Sequence, residues 1–443
     1  MKKNRMHRRS PQERASARSV PHAKPQLVRM EKPIYGGASL GRVDGKAIFV
    51  PLTLPGEVVR ARVVEDRKSF AHAEVEEIVE RAAERIEPAC RHFGVCGGCH
   101  YQHTGYEQQV TFKKDILRET LQRGQVEFNR EIEVLTAEPW AYRNRIRLAA
   151  DRNGNFGYRS RRSHDLVAIA ECPIAATLLV RAAMAFANLT KKLSLSSEDI
   201  TLFCNDDETE LLCSVTVRDG GEKQWLALAA MWSDVIAELS GVQFEQNSDG
   251  GRLPRIVAQW GEAALHYRAA GSRYRVDRGA FFQVNRWLVD QLAERVTDGL
   301  AGDTAWDLYA GVGLFAKQLT KKFDRVCAVE SAPQSTAALA HNLGGTNGEP
   351  VAEDALAFAR ENRTATPDAI VVDPPRTGLG PELTAQLGEI RATSLTYVSC
   401  DPATLARDLK VLTESGYELA SVTLADMFPQ TFHIETIVQL RER

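Results

Sequence analysis

No run of about 18 consecutive apolar residues occurs in the chain, so the sequence offers no membrane-spanning helix. The N-terminus is basic and lacks the apolar stretch of a secretory signal, which makes the cytoplasm the expected address and a membrane partner unexpected. Apolar residues are not scarce. At 44% hydrophobic and 26% charged, the composition is that of ordinary globular domains and excludes wholesale disorder. Acid is nearly missing from the first 30 residues, where nine Lys or Arg stand against Glu13 alone. Residues 1–25 are therefore read as a basic, disordered tail able to meet phosphates without reading sequence, with a merely solvated terminus as the alternative. Cysteines number eight in 443 residues, and in a cytoplasmic chain they argue for metal or catalysis before disulfides. A chain of this length is expected to form two or three domains.

Residues 26–84 read as short strands separated by turns at Gly36-Gly37, Asp44-Gly45 and Pro55-Gly56. The strand candidates are Ala47 to Val50, Val58 to Val64 and Ala73 to Val79, enough for a small barrel. Residues 85–270 combine a cysteine-rich loop, a helix expected from about Tyr106 to Arg123, and several β runs. From 271 to 443 strands alternate with helices, the pattern of a parallel α/β sheet.

Cys90, Cys96 and Cys99 give a C-x5-C-x2-C spacing in a Gly-rich loop, and Cys172-Pro173 follows much later. Three close thiolates plus a remote one suit a [4Fe-4S] cubane better than the paired C-x2-C of zinc fingers, with structural zinc as the alternative. The C-x3-C-x2-C spacing of radical enzymes is missing. With four thiolates spent on iron no open position remains, so the expected role is structural. Cys204, Cys213 and Cys327 lie in apolar runs and read as buried small hydrophobes.

Ala305 to Phe315 reads as a strand ending in the turn Tyr309-Ala310-Gly311-Val312-Gly313 and opening a helix. The third Gly of a dinucleotide fingerprint is missing and no phosphate-binding Lys follows, so neither NAD nor ATP is favoured. Glu330 ends the next strand 23 residues after Asp307, where a carboxylate can accept from both ribose hydroxyls. Asp354 follows a third strand and is a candidate for an adenine amino group, and Asp373-Pro374-Pro375-Arg376 ends a fourth. Four polar strand ends in order outline the site of a Rossmann-like class I methyltransferase. Cys400 follows a further buried strand, Leu395 to Ser399, and should point into the same crevice.

These motifs, with Phe281-Phe282-Gln283-Val284-Asn285, Ser399-Cys400-Asp401-Pro402 and His433-Ile434-Glu435, resemble those of the RNA uridine-5-methyltransferase family over nearly the whole chain after the tail. Gly36 to Gly45, followed by Phe49-Val50-Pro51 and Leu54-Pro55-Gly56-Glu57, resembles the TRAM domain, an OB-like RNA-binding barrel. The resemblance implies an α/β chain with an N-terminal TRAM barrel, a central α+β iron–sulfur domain with Cys90, Cys96, Cys99 and Cys172 on a [4Fe-4S] cluster, and a C-terminal methyltransferase domain. It implies S-adenosylmethionine as cofactor, held by Gln283, Tyr309, Glu330 and Asp354, with Asp373 between cofactor and uracil. Cys400 is then the nucleophile and Glu435 the base, with His433 as the alternative base. Leu314 departs from relatives that carry a polar residue near the methionine moiety.

The chemistry needs these residue types. Carbon 5 of uracil is a poor nucleophile until a thiolate adds at carbon 6, and a base must later remove the carbon 5 proton. The target uridine must be flipped out, with Phe281 or Phe282 available to stack. Seven Arg between 143 and 162 suggest a strand face that tracks RNA phosphates. The expected substrate is 23S rRNA, with tRNA as the second choice, and no obligate protein partner is expected. A base-stacking adenine methyltransferase is disfavoured because Arg376 stands where an aromatic would follow the proline pair. A non-catalytic RNA-binding iron–sulfur protein would have no use for both Cys400 and Glu435.

Overall fold

The computed structural model describes residues 18–19, 24–161, 163, 165–248 and 254–443, so the expected basic tail lies almost wholly outside the described residues, as does Arg162. The chain divides into two compact units, Met1–Arg85 and Ile86–Arg443.

In the first unit the strands are β1 (Arg18–Ser19), β2 (Gln26–Pro33), β3 (Ala38–Val43), β4 (Lys46–Pro51), β5 (Val58–Asp66) and β6 (Phe70–Glu80). The order β5-β2-β3-β4-β6 closes on itself through β5–β6, leaving a five-stranded barrel in which only β4–β6 is parallel. Alternate residues Val28 and Met30, Ile48 and Val50, and Val59, Ala61 and Val63 fill its interior. Gly41 is a close-approach glycine, since a Cβ there would sit 2.6 Å from the Arg29 carbonyl oxygen.

The second unit begins with α1 (Tyr106–Arg123) and β7 (Glu133–Leu135). Then come β8 (Arg145–Ala150), β9 (Phe156–Arg159), β10 (Leu166–Ala168), α2 (Thr177–Leu193), β11 (Ser197–Cys204), β12 (Leu211–Val217), α3 (Glu222–Val235), β13 (Leu239–Gln246) and β14 (Arg255–Gly261). They form a seven-stranded sheet, β10-β9-β8-β11-β12-β13-β14. One face is apolar, with Ile146, Leu148, Ile200, Leu202, Val215, Val242 and Phe244 packed on residues of α2 and α3. The opposite face carries a polar row in direct register, Arg147–Thr201–Ser214–Gln243–Gln259. Cys204 and Cys213 are buried, as read from the sequence.

After the hairpin β15 (Ala264–Ala269) and β16 (Ser272–Asp277) come α4 (Val289–Val296), β17 (Gly302–Leu308), α5 (Leu314–Leu319), β18 (Phe323–Val329), α6 (Pro333–Leu343), β19 (Gly348–Val351), α7 (Ala355–Glu361), β20 (Ala369–Val372), α8 (Gly380–Ile390), β21 (Ser394–Ser399), α9 (Pro402–Glu414), β22 (Tyr417–Ala425) and β23 (Glu435–Glu442). The sheet order is β19-β18-β17-β20-β21-β23-β22-β7. The first five strands are parallel, and β23 is inserted antiparallel between β21 and β22. Among the described residues no helix is long and apolar enough to cross a membrane.

The structure does not respect a linear cut at 270. Strand β7, expected within the central domain, pairs with β22 and completes the C-terminal sheet. Helix α1 lies against α9, where Gly124 leaves room that a Cβ would lose to Ala406 at 2.6 Å. The hairpin β15–β16 shares one core with α4 and the C-terminal sheet through Leu265, Tyr267, Tyr274 and Val276. A strand of three residues whose partner lies nearly 300 positions away leaves no local periodic signal.

Helix α1 buries Gln109, Phe112, Lys113, Ile116, Leu117 and Leu121, one stripe at helical spacing that includes an amide and an ammonium. Lys113 and Asp426 pair at 2.5 Å with both side chains fully buried, and Lys113 Nζ also donates to the Phe428 carbonyl. Lys113→Met leaves the Asp426 carboxylate buried without its partner and should cost about 3–5 kcal/mol. The double change Lys113→Met with Asp426→Leu should regain most of it. Calorimetric unfolding of both variants checks this, and an unchanged single variant contradicts it.

Candidate active site

The parallel strands end level with one another. Leu308 is in register with Val329 and Val372, and Val372 with Tyr397, so the residues that follow are delivered to one crevice at the carboxyl edge of the sheet. Tyr309 leaves β17 with φ at +65°, a left-handed conformation that turns the chain sharply. Gly313 has φ +91°, and a Cβ there would meet Leu339 at 2.8 Å, so this position requires glycine on both counts. Glu330 fastens the turn to β18. One oxygen accepts from the Gly311 amide at 2.9 Å and the other from the Ala332 amide at 2.7 Å. Asp354 caps α7 through Oδ1, which accepts from the Leu356 and Ala357 amides.

Asp307 was used in the sequence only as a marker of spacing, yet it is the most buried acid of the crevice. Oδ2 accepts from the Ala316 amide at 2.7 Å, while Oδ1 is buried without a partner. Burial, and the neighbouring Asp373 and Glu330, hold its carboxyl well above the usual range. A signal was available, since an acid within an apolar strand just before a Gly turn costs too much to bury for packing alone.

Gln283 is buried and donates through Nε2 to Asp373 Oδ2 at 3.3 Å. Its segment is stitched in place by Asn144, whose side chain donates to the Gln283 carbonyl at 2.9 Å. Asn285 reaches onward to the Asp426 and Met427 carbonyls. The two phenylalanines beside it separate. Phe282 is core, with its ring 4.5 Å from that of Tyr267, so the expectation that it could stack a base is corrected; Phe281 is 58% exposed and remains free to do so.

Ser399 of β21 pairs with Thr436 of β23, so the next residue on each side brings Cys400 opposite Glu435. Cys400 is half-buried and Glu435 buried. Burial first, then the Glu435 and Asp373 carboxylates, push the Cys400 thiol up to about 12, with Arg376 opposing. Burial, then the Asp373 carboxylate, likewise raise Glu435 well above its ordinary value against Arg376, and burial raises Asp373 to about 7. The sulfur is thus surrounded by acid, a charge balance that linear reading does not show.

Arg376 Nη2 lies 3.1 Å from His433 Nδ1. Burial, then the cations Arg376, His100, Arg143 and Lys113, pull His433 down to about 3, which leaves its imidazole neutral and a poor base. Glu435, whose proton affinity is raised, binds a proton more strongly than His433 does.

Cys90, Cys96, Cys99 and Cys172 all line one cavity of about 250 Å³, together with His100, Arg143 and His433. All four are free thiols. Gly98 donates its amide to Cys96 Sγ at 3.4 Å, and the Tyr158 hydroxyl lies 3.8 Å from Cys172 Sγ. Beyond burial, the thiols raise one another: Cys172 and Cys90 act on Cys96, and Cys172 and Cys96 on Cys99. Among the described residues, no three or more His, Cys, Asp or Glu form a set that could hold a single metal ion. Arg143, expected on an RNA-facing strand, instead turns to this cavity and lies over the rings of Tyr142 and Phe428.

The loop between β22 and β23 joins cavity and crevice. The Gln430 carbonyl accepts from the His100 and Tyr101 amides, and Gln430 and Gln109 exchange two hydrogen bonds at 2.9 and 3.0 Å. Tyr142 donates to the Pro429 carbonyl. The residues leading to Glu435 are thus held by the cysteine loop and α1.

Alkylation of Cys400 by iodoacetamide, followed by mass spectrometry of its peptide, should quicken steadily from pH 7 to 10, because a raised pKa keeps the thiol protonated through that interval. Glu435→Gln removes a carboxylate and should shift the profile to lower pH. A rate already level at pH 7 contradicts this charge balance.

Known proteins resemble this chain over nearly its whole length. Residues 362–443 match the family model described as tRNA (Uracil-5-)-methyltransferase, and residues 24–75 match the TRAM domain. A protein of Halomonas elongata named 23S rRNA (uracil(1939)-C(5))-methyltransferase RlmD is 33% identical, covering 97% of this chain and 92% of its own. An uncharacterized RNA methyltransferase of Thermotoga maritima is 31% identical over 94% and 98% of the two chains. The fold is that of the Pyrococcus abyssi tRNA (uracil-54, C5)-methyltransferase solved with S-adenosyl-L-homocysteine, with a TM-score of 0.75, 24% identity, and coverage of 94% of this chain and 100% of that one. On this full-length likeness the chain belongs to the RNA uracil-5-methyltransferase family.

Proposed function

We propose that the chain is a cytoplasmic enzyme that methylates carbon 5 of a uridine in 23S rRNA, with Cys400 as nucleophile and Glu435 as the base that resolves the adduct. The observation that carries this reading is the β21–β23 register, which sets Cys400 against Glu435 with Asp373 and Arg376 as charged neighbours. The rRNA substrate follows the Halomonas relative; a tRNA uridine is the second reading, favoured by the Pyrococcus fold neighbour.

The crevice fits S-adenosylmethionine, because a ligand with a cationic sulfonium and ammonium answers an acid-rich pocket in which Asp307 Oδ1 lacks a partner. Gln283, Tyr309, Glu330, Asp354 and Asp373 are the residues that would hold it. When bound it supplies the methyl group, and its positive charge opposes the raised proton affinities of Cys400, Asp373 and Glu435. The Cys400 proton leaves to the Asp373 carboxylate as its sulfur bonds to carbon 6, and the ring electron pair moves to the carbonyl oxygen as an enolate, leaving Glu435 free for the later step. Carbon 5 then takes the methyl group. Glu435 removes the carbon 5 proton, the freed pair restores the ring double bond, and the Cys400 sulfur is expelled. Burial strengthens Glu435 as a base once it is ionised.

The four cavity thiols fit a [4Fe-4S] cluster held by Cys90, Cys96, Cys99 and Cys172. None of the four is tied in a disulfide, and their shared cavity has room for a multi-atom centre. The role proposed is structural, fastening the loop that supports Gln430.

Cys400→Ala should abolish methylation of total RNA while S-adenosylhomocysteine binding persists, and retained turnover refutes the nucleophile. Glu435→Gln should accumulate a methylated protein–RNA adduct stable in denaturant; normal turnover without adduct removes Glu435 from its role. Anaerobic purification should give about four iron and about four acid-labile sulfide per chain, and stoichiometric zinc overturns the cluster.

A further inference from the structure

The polar face of the seven-stranded sheet is not fully covered. A cavity of about 530 Å³ lies on it, lined among others by Arg145, Arg147, Thr201, Ser214, Gln243 and Arg278, with Gly279 and Gln334 at its side. Two of its arginines stand out by what they lack. Arg145 lies 4.1 Å over the ring of Phe203 and donates to the Ala280 carbonyl, but its Nε is buried without a partner. Arg278 donates to the Glu262 carbonyl, and its Nε too is buried and unpartnered. Burial pulls the Arg145 guanidinium down to about 10 and lowers Arg278, and no carboxylate offsets either shift. The acids that line the cavity are directed elsewhere: Asp199 pairs with Arg147 at 2.9 Å, and Glu245 accepts from the Gln243 amide.

Two desolvated guanidinium groups in one cavity without a counterion are costly unless an anion completes them. The cavity is continuous in sequence with the crevice, since Gly279 and Ala280 lead directly to exposed Phe281 and to Gln283 beside Asp373. We propose that this cavity binds a phosphodiester of the RNA strand flanking the target uridine, with Arg145 and Arg278 as its phosphate ligands. The inference rests on the reading of the chain as an RNA methyltransferase and adds a subsite that fixes the strand while the uridine enters the crevice. Thr201 and Ser214, in register on the sheet, supply hydroxyl donors. RNA is the occupant because only a few residues of chain separate Gly279 of the cavity from Gln283 of the crevice; a free nucleotide or inorganic phosphate would gain nothing from that continuity.

The test uses Ser214→Glu in the full chain. A carboxylate at this position offers the two arginines an internal partner, so thermal stability should stay equal or rise, while affinity for RNA should fall by about tenfold or more. A merely structural role moves both quantities the same way. Arg278→Ala should also weaken RNA binding, and should lower the slope of log affinity against log salt by about 0.7, the share of one phosphate contact on a single strand. S-adenosylhomocysteine binding should be unchanged in both. Competition by inorganic phosphate at the concentrations that displace RNA would overturn the commitment to a strand. RNA affinity unaltered in Ser214→Glu overturns the subsite while leaving methylation by the parent chain intact. Conversely, loss of RNA affinity in Ser214→Glu with no methylation by the parent removes the enzyme reading and leaves the binding site standing.

Discussion

The reversal of a single strand is the constraint from which the site follows. Parallel strands deliver only their carboxyl ends to the crevice, and so place Tyr309, Glu330, Asp373 and Cys400 along one edge. Because β23 runs the other way, it delivers its first residue to the same edge, and Glu435 arrives opposite Cys400. A reaction needing a nucleophile and a separate base on one ring is served by this geometry, since neither residue has to leave its strand.

The reversal has a structural consequence. The chain must cross from the end of β22 to the start of β23 through a loop with Gln430 at φ +67°, and that loop is held from three directions. Asn285 binds its first carbonyls, Lys113 and Gln109 of α1 bind its middle, and the His100 and Tyr101 amides bind Gln430. This is why an ammonium and an amide occupy the buried stripe of α1, where leucine would otherwise pack better. It also gives the cysteine loop a mechanical connection to the residues that precede Glu435, and a reason for the two to fold as one unit.

Charge in the crevice is deliberately unbalanced. Burial and the Asp373 carboxylate raise both Asp307 and Glu435, burial raises Asp373 itself, and Arg376 is the cation that opposes the acids at the sulfur. Such a site favours a cationic ligand over water and keeps the thiol protonated until that ligand arrives, which protects it from side reactions. Much of this was legible from the chain. The order of strand-end acids, the cysteine spacing and helix α1 all rest on local patterns of period two or 3.6, and on types of residue whose burial demands a reason. What was not legible depends on long-range pairing. The strand at Glu133–Leu135, the inward turn of Arg143 and the core position of Phe282 are set by partners far away in sequence. The thiol's raised proton affinity is likewise a sum over groups from separate strands.

The proposed mechanism turns on a carbon–sulfur bond between Cys400 and carbon 6 of the target base, broken only when Glu435 removes the proton from carbon 5. RNA carrying 5-fluorouridine at the target offers no such proton, so the bond should persist after methyl transfer. A denaturant-stable complex of protein and methylated RNA is expected, with the attachment mapped to the Cys400 peptide by mass spectrometry. Methyl transfer to uridine RNA accompanied by no adduct on the fluorinated RNA, or an adduct on any other residue, would contradict it.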